Sequence, residues 1–539
     1  MTNRFATTGA AALSASLIAA GLVAGPVSAS TDEPPALELV GRYVAERTPA
    51  PLEGEDDVRA EVTAALGDRM YVVNHTALDI VDIRTPDAPV LLGQVSLAGF
   101  GGSITSVATT AGLVAVSIPA TEKTQPGTVV LLTPTGRILR SVTVGANPDM
   151  LTFDADGRRL VVANEGEPSG YGVGYSDPAG SVSIIDVRRL LTFRRGAVRT
   201  AGFTDFNVGG KRTLDPAVRI FGPGASVAQD LEPEYVTIRG NRAFVTMQEN
   251  NAIAEVHLGS GRVQAVRPLA LKNHSQPGNG LDASDRDPRD ASSINIATWP
   301  VLGMPMPDGI ASFRHRGTTY LITANEGDAR DWPGLAEEVR VGSASYTLDP
   351  TAFPNAADLK REGNLGRLTV TNQGGDTDGD GDFDEIRAFG TRSVSIWTAD
   401  GRLVWDSGDQ IENAVRAVLP EDFNSTNDEN DSFDTRSDNK GPEPEGVTVG
   451  EVGGRRMVYV GLERVGGLVA FDITNPTGPV LVEYVNSRDF TLNPTDGSTD
   501  SGPEALTFVP AGDSPSGRPL IVVSNEVSGT VSLWSPAEE

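Results

Sequence analysis

Short apolar runs recur along the chain between clusters of Gly, Pro, Asn and Asp, and long helical periodicity is almost absent. Five segments share one layout: "NPDMLTFDADGRRLVVANEG", "EPEYVTIRGNRAFVTMQEN", "MPDGIASFRHRGTTYLITANEG", "EPEGVTVGEVGGRRMVYVGLER" and "GPEALTFVPAGDSPSGRPLIVVSNE". Each opens with Pro-Asp or Pro-Glu, runs through a strand, turns, and runs through a second strand into a Glu. A third strand follows most of them ("GSVSIIDV", "NAIAEVHL", "RSVSIWTA", "GLVAFDIT", "GTVSLWSP"), and a fourth often completes the unit, as in "GRLVWDSG" or "PVLVEYV". Two further units keep the strands without the acids: "DRMYVVNHTALDIVDIRTPDAPVLLGQV", and "TSVATTAGLVAVSIPA" followed by "GTVVLLTPTGRILRSVTV". Repeated units of four antiparallel strands predict an all-β fold, a single β-propeller of about seven four-stranded blades. The last unit stops after "GTVSLWS", so the lone strand "ALELVGRYV" near the N-terminus is predicted to complete it and close the ring, which removes exposed edges.

This geometry gives the repeated acids a common address. The start of a blade's innermost strand and the end of the strand that runs back beside it lie on the same face of the disc. Asp149 with Glu165, Glu234 with Glu249, Asp308 with Glu326, Glu445 with Glu463, and Glu504 with Glu526 are therefore predicted to line one rim near the central opening. These carboxylates need cations or many hydrogen bonds to offset their repulsion. The alternative is that they are blade-signature residues accepting backbone N–H bonds in turns.

At 539 residues the chain is long enough for one large all-β architecture, and 60 Gly, 36 Pro and 6% aromatics suit one. A formal charge of −28 argues against nucleic acid or an anionic membrane as a partner and favours cations. Arg4, the apolar run from Ala11 to Gly25 and "VSA" ending at Ala29 predict a cleaved signal peptide over residues 1–29, leaving residues 30–539 as the exported propeller. No later run approaches the roughly 20 apolar residues of a membrane span, and the polar ending "WSPAEE" predicts an unanchored, secreted product. Without cysteine there are no disulfides, so stability must come from core size or bound metal.

A second signature is "GGDTDGDGDFDEIRAFG". Asp376, Asp378 and Asp380 followed by Gly381 match the first, third, fifth and sixth positions of a calcium loop, where alternate oxygens turn inward and Gly allows the bend. Asp384 lies at the ninth position. Arg387 occupies the twelfth, and a strand follows, so the loop is not an EF-hand; Glu385 is the candidate late carboxylate. A solvated acidic turn is the alternative. Long insertions near 272–306, 330–390 and 420–445 are predicted to enter the face that carries the acids. The histidines are scattered: His315 falls in a hairpin turn on the opposite face, His257 in a third strand, and His75 where other blades have Glu. No nucleophile elbow, zinc-protease helix or phosphate-binding glycine loop appears in the context it needs, and no catalytic residue is assigned.

Ordered stretches over roughly residues 37–537 carry a family resemblance. They include "ANEGEPSGYGVGYSDPAGSVSIIDV", "LEPEYVTI", "GNGLDASDRD", "LITANEGDARDW", "DTDGDGDFDEIRAFGTRSVSIW" and "FNSTNDENDSFDTRSDNKGPEPEGV". The chain resembles the choice-of-anchor I family. The resemblance implies an exported surface or secreted propeller, often tethered by a variable C-terminal anchor. Two functions are expected from these readings. The first is a calcium-binding module for binding or surface interaction, with Asp376, Asp378, Asp380 and Asp384 around one ion. The second is a metal-dependent phosphoester hydrolase of phytase or alkaline-phosphatase type, a label some relatives carry, with Glu165, Glu234, Glu326 and Glu445 as metal ligands. In that case the ligands include phosphate groups, and Arg330 clamps them; the alternative for Arg330 is a surface salt bridge.

Overall fold

The apolar runs read as continuous because both of their faces are buried. In Arg159–Asn164, Leu160 and Val162 pack toward the preceding sheet, whereas Val161 and Ala163 pack toward the following one. Alternate side chains thus serve two interfaces, and a strand with period two carries no polar face. The computed structural model describes residues 36–47, 59–286 and 294–537.

Seven four-stranded antiparallel sheets follow one another. Blade one is Arg59–Leu66, Arg69–Asn74, Ala77–Asp82 and Val90–Ser96. Blade two is Ser106–Thr110, Leu113–Ile118, Pro126–Leu132 and Ile138–Ala146. Blade three is Pro148–Phe153, Arg159–Asn164, Ser181–Asp186 and Val198–Gly202. Blade four is Val236–Arg239, Arg242–Met247, Ala252–His257 and Arg262–Pro268. Blade five is Ile310–His315, Thr318–Ala324, Val394–Thr398 and Leu403–Asp406. Blade six is Pro444–Val452, Arg455–Leu462, Leu468–Asp472 and Val480–Val485. Blade seven joins Pro503–Val509, Leu520–Asn525 and Thr530–Pro536 to the N-terminal strand Leu37–Val44, which pairs antiparallel from Leu37 opposite Pro536 to Val44 opposite Thr530.

The first strand of each blade lies against the first strand of the next, and that of blade seven against that of blade one, so the ring is closed. Hydroxyls bond between these inner strands: Thr105 Oγ1 donates to Pro148 O at 2.7 Å and Thr507 Oγ1 to Thr63 O at 2.7 Å. Each blade interface has its own apolar cluster, from Tyr71, Val73 and Val116 between blades one and two to Tyr43, Val72 and Val522 between blades seven and one. The velcro strand thus contributes burial as well as backbone pairing.

The insertions differ from the loops expected for them. Segments within 272–306 and 330–390 fold together into a five-stranded sheet in the order Lys272–Asn273, Val301–Met304, Ile386–Phe389, Thr369–Thr371 and Glu338–Arg340. Val301–Met304 and Ile386–Phe389 run parallel, and Tyr346, Leu348, Leu365, Val370 and Ile386 form a separate core. Strands of two to four residues show no readable alternation, which is why only the hydrophobic total could have hinted at them. The segment near 420–445 follows a helix, Gln410–Val418, and is tied down by Asn424, whose Nδ2 donates to Glu412 Oε1 and Ser437 Oγ, both at 2.9 Å. The signal peptide expected over residues 1–29 lies outside the described residues. Among the described residues no helix is long and apolar enough to cross a membrane.

Candidate functional site

Two local devices place the rim acids. The first acts at the end of the second strand, where "NE" precedes a third strand with alternating hydroxyls. Asn164 Nδ2 donates to Ser183 Oγ at 3.0 Å, and Asn325 Nδ2 donates to Thr391 Oγ1 at 2.9 Å and Ser395 Oγ at 2.8 Å. The amide locks the strand end, and the following Glu165 or Glu326 emerges at the face. The second acts at the start of the inner strand, where Gly follows the acid. A Cβ on Gly309 would sit 2.4 Å from Glu445 O, and one on Gly446 would sit 2.1 Å from Glu504 O. Only glycine lets the backbones of successive acids approach so closely.

The acids consequently converge. Oxygens of Asp308, Glu445 and Glu504, from blades five, six and seven, lie within 4.8 Å of one another, and so do oxygens of Glu326, Glu445 and Glu463. Burial pushes the carboxyls of Glu234, Asp308, Glu445, Glu463 and Glu504 well above their ordinary range, and neighbouring acids push further. For Asp308 the neighbours include Asp149, two blades away, so the inner acids face one another across the opening. Burial and Glu167 likewise raise Asp149 to about 7 against the pull of Lys123.

The two clusters are compensated differently. Lys440 Nζ lies 2.7 Å from Glu326, 3.0 Å from Glu443 and 3.3 Å from Asp328. Arg464 bridges Glu443 and Glu463, each at 3.1 Å, and Arg436 also bonds Glu443. Burial alone would raise the Glu443 carboxyl, but Lys440, Arg464 and Arg436 outweigh it and hold Glu443 below the usual carboxylate range. No Lys or Arg pairs with Asp308, Glu445 or Glu504 among the described residues. Glu445 Oε2 and Glu234 Oε2 are buried without a hydrogen-bond partner.

Glu165 and Glu249 fall on a third part of the face, a cleft of about 370 Å³ also lined by Glu167, Glu232, Asp328, Arg330 and Glu338. Asn147 Nδ2 donates to Glu165 at 2.6 Å and to Glu167 at 3.1 Å. Arg330 is not the surface ion pair named as the alternative for it. It is 1% exposed, its guanidinium bonds Asp230 at 2.8 Å and Glu232 at 3.1 Å, and it stacks over Phe221. Three of its five N–H donors are committed to buried partners.

In the acidic loop, oxygens of Asp376, Asp378 and Asp384 lie within 4.8 Å of one another. Asp380 falls outside that group and accepts from Asp382 N, and Glu385 is turned away into an ion pair with Arg387 at 2.7 Å. Asp376 accepts from Gly379 N at 2.7 Å and Gly381 N at 3.1 Å, which draws the loop into its tight curve.

Several members of the face escaped sequence reading. Glu61, on the inner strand of blade one, lies close enough to Glu504 to raise its carboxyl, but no proline precedes it. Glu167 and Asp328 extend the repeat as Glu-Gly-Glu and Glu-Gly-Asp, a legible signal. Asp230 and Glu232 lie in the segment between blades three and four, and Lys440 and Glu443 in the 420–445 insertion; the pairing of Asp230 with Arg330 and of Lys440 with Glu326 spans about a hundred residues and leaves no spacing to read.

A closed seven-bladed propeller with one carboxylate-rich face, overlaid by insertions, defines the class of protein. The chain belongs to the choice-of-anchor I family: the profile of the choice-of-anchor I domain matches residues 62–476. It is 32% identical to Gigasin-3a of Magallana gigas over 188 residues, 33% of this chain and 66% of that protein. It is 29% identical to the mesenchyme-specific cell surface glycoprotein of Strongylocentrotus purpuratus over 293 residues, 48% of this chain and 36% of that protein. The chain therefore spans less than two thirds of either relative. Among solved structures, Kuenenia stuttgartiensis hydrazine synthase aligns over 90% of this chain and 97% of that chain at 13% identity and a TM-score of 0.43. The fold assignment rests on the seven sheets and their closed ring.

Proposed function

We propose that this propeller is an exported, calcium-dependent interaction module whose carboxylate face carries the bound ions. The observation that supports it is the gathering of carboxylate oxygens within 4.8 Å in three places, one in the Asp376 loop and two at the ring opening. Oxygen-only donor sets of this kind favour hard cations, and calcium accepts the irregular geometry that several carboxylates impose. Asp376, Asp378 and Asp384 would hold an ion in the loop, where the metal offsets repulsion between exposed aspartates. One relative bears the name of a cell surface glycoprotein, which fits a module working outside the cell. Metal analysis of purified protein should find calcium, and the melting temperature should fall after EGTA treatment. Metal-free protein with an unchanged melting curve would remove this reading. Export predicts that the secreted product begins near residue 30, which N-terminal sequencing checks.

A second reading is a metal-dependent phosphoester hydrolase, and the cleft lined by Glu165, Glu167, Glu232 and Glu249 beside the ring opening favours it. Ions held there would polarise a phosphate and activate water. The buried pairing of Arg330 with Asp230 and Glu232 weighs against it, because that charge is already offset by two carboxylates. Phosphate release from phytate or a chromogenic monoester with calcium, lost on Glu165→Gln, would establish it; no turnover across an ester panel would retire it.

A further inference from the structure

Glu234, Asp308, Glu445 and Glu504 come from four consecutive blades, and each sits at the start of its inner strand. Oxygens of Asp308, Glu445 and Glu504 lie within 4.8 Å of one another. Glu234 lies beside Asp308. Glu445 is 5% exposed and Glu234 6% exposed, yet Oε2 of each has no hydrogen-bond partner. A buried carboxylate oxygen without a donor carries the full desolvation penalty, and several together add repulsion. Elsewhere on this face the chain supplies its own cations, Lys440 and Arg464 for Glu326, Glu443 and Glu463. The protein can pack ammonium and guanidinium groups into such a site and has not done so here.

We propose that Asp308, Glu445 and Glu504, with Glu234 beside them, hold one divalent cation of calcium type at the mouth of the central opening, and that this ion ties blades four to seven together. The proposal rests on the calcium reading above and names the ligands of one of its ring-opening sites, distinct from the Asp376 loop. Four carboxylates offer up to eight oxygens, within the coordination number calcium takes and more than magnesium accepts. Histidine and cysteine are missing from the donor set, so softer metals gain nothing there. Because the ligands come from different blades, the ion cross-links elements that otherwise meet only through their interfaces. Its binding adds directly to the stability of the closed ring.

Tyr235 gives the site its own reporter. It follows Glu234 and packs against the apolar cluster of Phe244, Ile310 and Trp397, and burial and then Asp308, Glu504, Asp149 and Glu445 keep its phenol protonated, which puts it within electrostatic reach of these acids. Tyr346 plays the same part for the loop, stacking on Phe383 at 4.0 Å with its hydroxyl 3.5 Å from Glu385 O. Terbium, a calcium substitute that emits when a nearby tyrosine is excited, therefore reads the two sites separately in the full-length protein. Tyrosine-excited terbium emission should be competed by calcium, should fall several-fold in Tyr235→Phe, and should fall again in Tyr346→Phe. Glu504→Gln should weaken the Tyr235-dependent signal at least ten-fold in terbium affinity while leaving the Tyr346-dependent signal intact. Emission unchanged by Tyr235→Phe and lost in Tyr346→Phe would overturn the ring site and leave the loop reading standing. Absence of terbium and calcium binding by the wild-type protein would overturn both. If Glu504→Gln fails to fold, Tyr235→Phe, which keeps every carboxylate, still decides the matter.

Discussion

On one side of Glu445 lie Glu326 and Glu463, and on the other lie Asp308 and Glu504. Both sides are carboxylates at the ring opening, but Glu326 and Glu463 leave the ends of second strands whereas Asp308 and Glu504 stand at the starts of inner strands. On the first side Lys440, Arg436 and Arg464 reach in from the 420–445 insertion and the end of a blade-six strand, and every acid there has a cationic partner nearby. On the second, no such side chain arrives, and oxygens of Glu445 and Glu234 stay unpaired. The difference shows what the insertion contributes. The propeller repeat gathers the acids, and the 420–445 insertion together with Arg464 supplies the cations that neutralise the first cluster.

The sharpest way to break this contrast is Lys440→Met. Lys440 is buried against Glu326, Glu443 and Asp328, and removing it leaves carboxylates without their ammonium, a loss of about 3–5 kcal/mol for a broken buried pair. Urea denaturation should show that loss, and Lys440→Met/Glu326→Gln should recover part of it by removing one uncompensated charge. A single variant as stable as wild type would mean that the first cluster is neutral by protonation, like its neighbour.

Acidity should separate the clusters next. Burial raises Asp149 from the ordinary 3.8 to about 7 and Glu249 from 4.5 to about 7, while Glu443 is held low by its cations. Between the two values the folded protein keeps protons that the unfolded chain has lost. The stabilising contribution of Asp149 and Glu249 is therefore complete below the unfolded values and is lost as pH rises through about 7. EGTA-treated protein should melt at a higher temperature near pH 6 than near pH 8, whereas calcium should flatten the slope by stabilising the ionised acids. A calcium-free melting temperature that rises with pH across this window would contradict the raised carboxyls.

Gly446→Ala tests the backbone approach that brings Glu445 toward Glu504. The new Cβ would meet Glu504 O at 2.1 Å, so blades six and seven must part, at a cost of about 1–3 kcal/mol as for other overpacked sites. Stability should fall in urea, and terbium emission through Tyr235 should fall with it. Wild-type emission in a destabilised Gly446→Ala protein would show that the acids do not need this packing to meet.

Much of the fold was legible because each blade is local. Its strands follow one another in sequence, its turns carry Gly, Asn or Asp, and the pairing of Leu37–Val44 with blade seven followed from one missing strand. The acids of the five repeats were legible for the same reason, since one hairpin geometry served all of them. What stayed hidden depends on contacts distant in sequence. Lys440 meets Glu326 114 residues away, and Arg330 meets Asp230 100 residues away, so no spacing rule connects them. Arg330 looked like a rim cation in "GDARDW", but the segment holding Asp230 and Glu232 packs over it. Glu385 looked like a late calcium ligand because position was readable, whereas the competing partner Arg387 points back from the following strand.

The smallest effect is expected in the Asp376 loop, where the contrast between exposed and buried acids can be sharpened. Asp378 is exposed, its carboxylate accepts only from Asp380 N at 3.2 Å, and neighbouring aspartates raise its carboxyl. In water such repulsion is weakly felt, so Asp378→Asn in EGTA should shift stability by no more than about 0.5 kcal/mol, the ordinary range for a surface change. In calcium the same substitution should lower loop affinity, visible as loss of the Tyr346-dependent terbium signal with the Tyr235-dependent signal retained. A large destabilisation by Asp378→Asn in EGTA would mean that the loop braces the insertion sheet without any ion, through the turn in which Asp376 accepts from Gly379 N and Gly381 N and Asp384 accepts from Thr377.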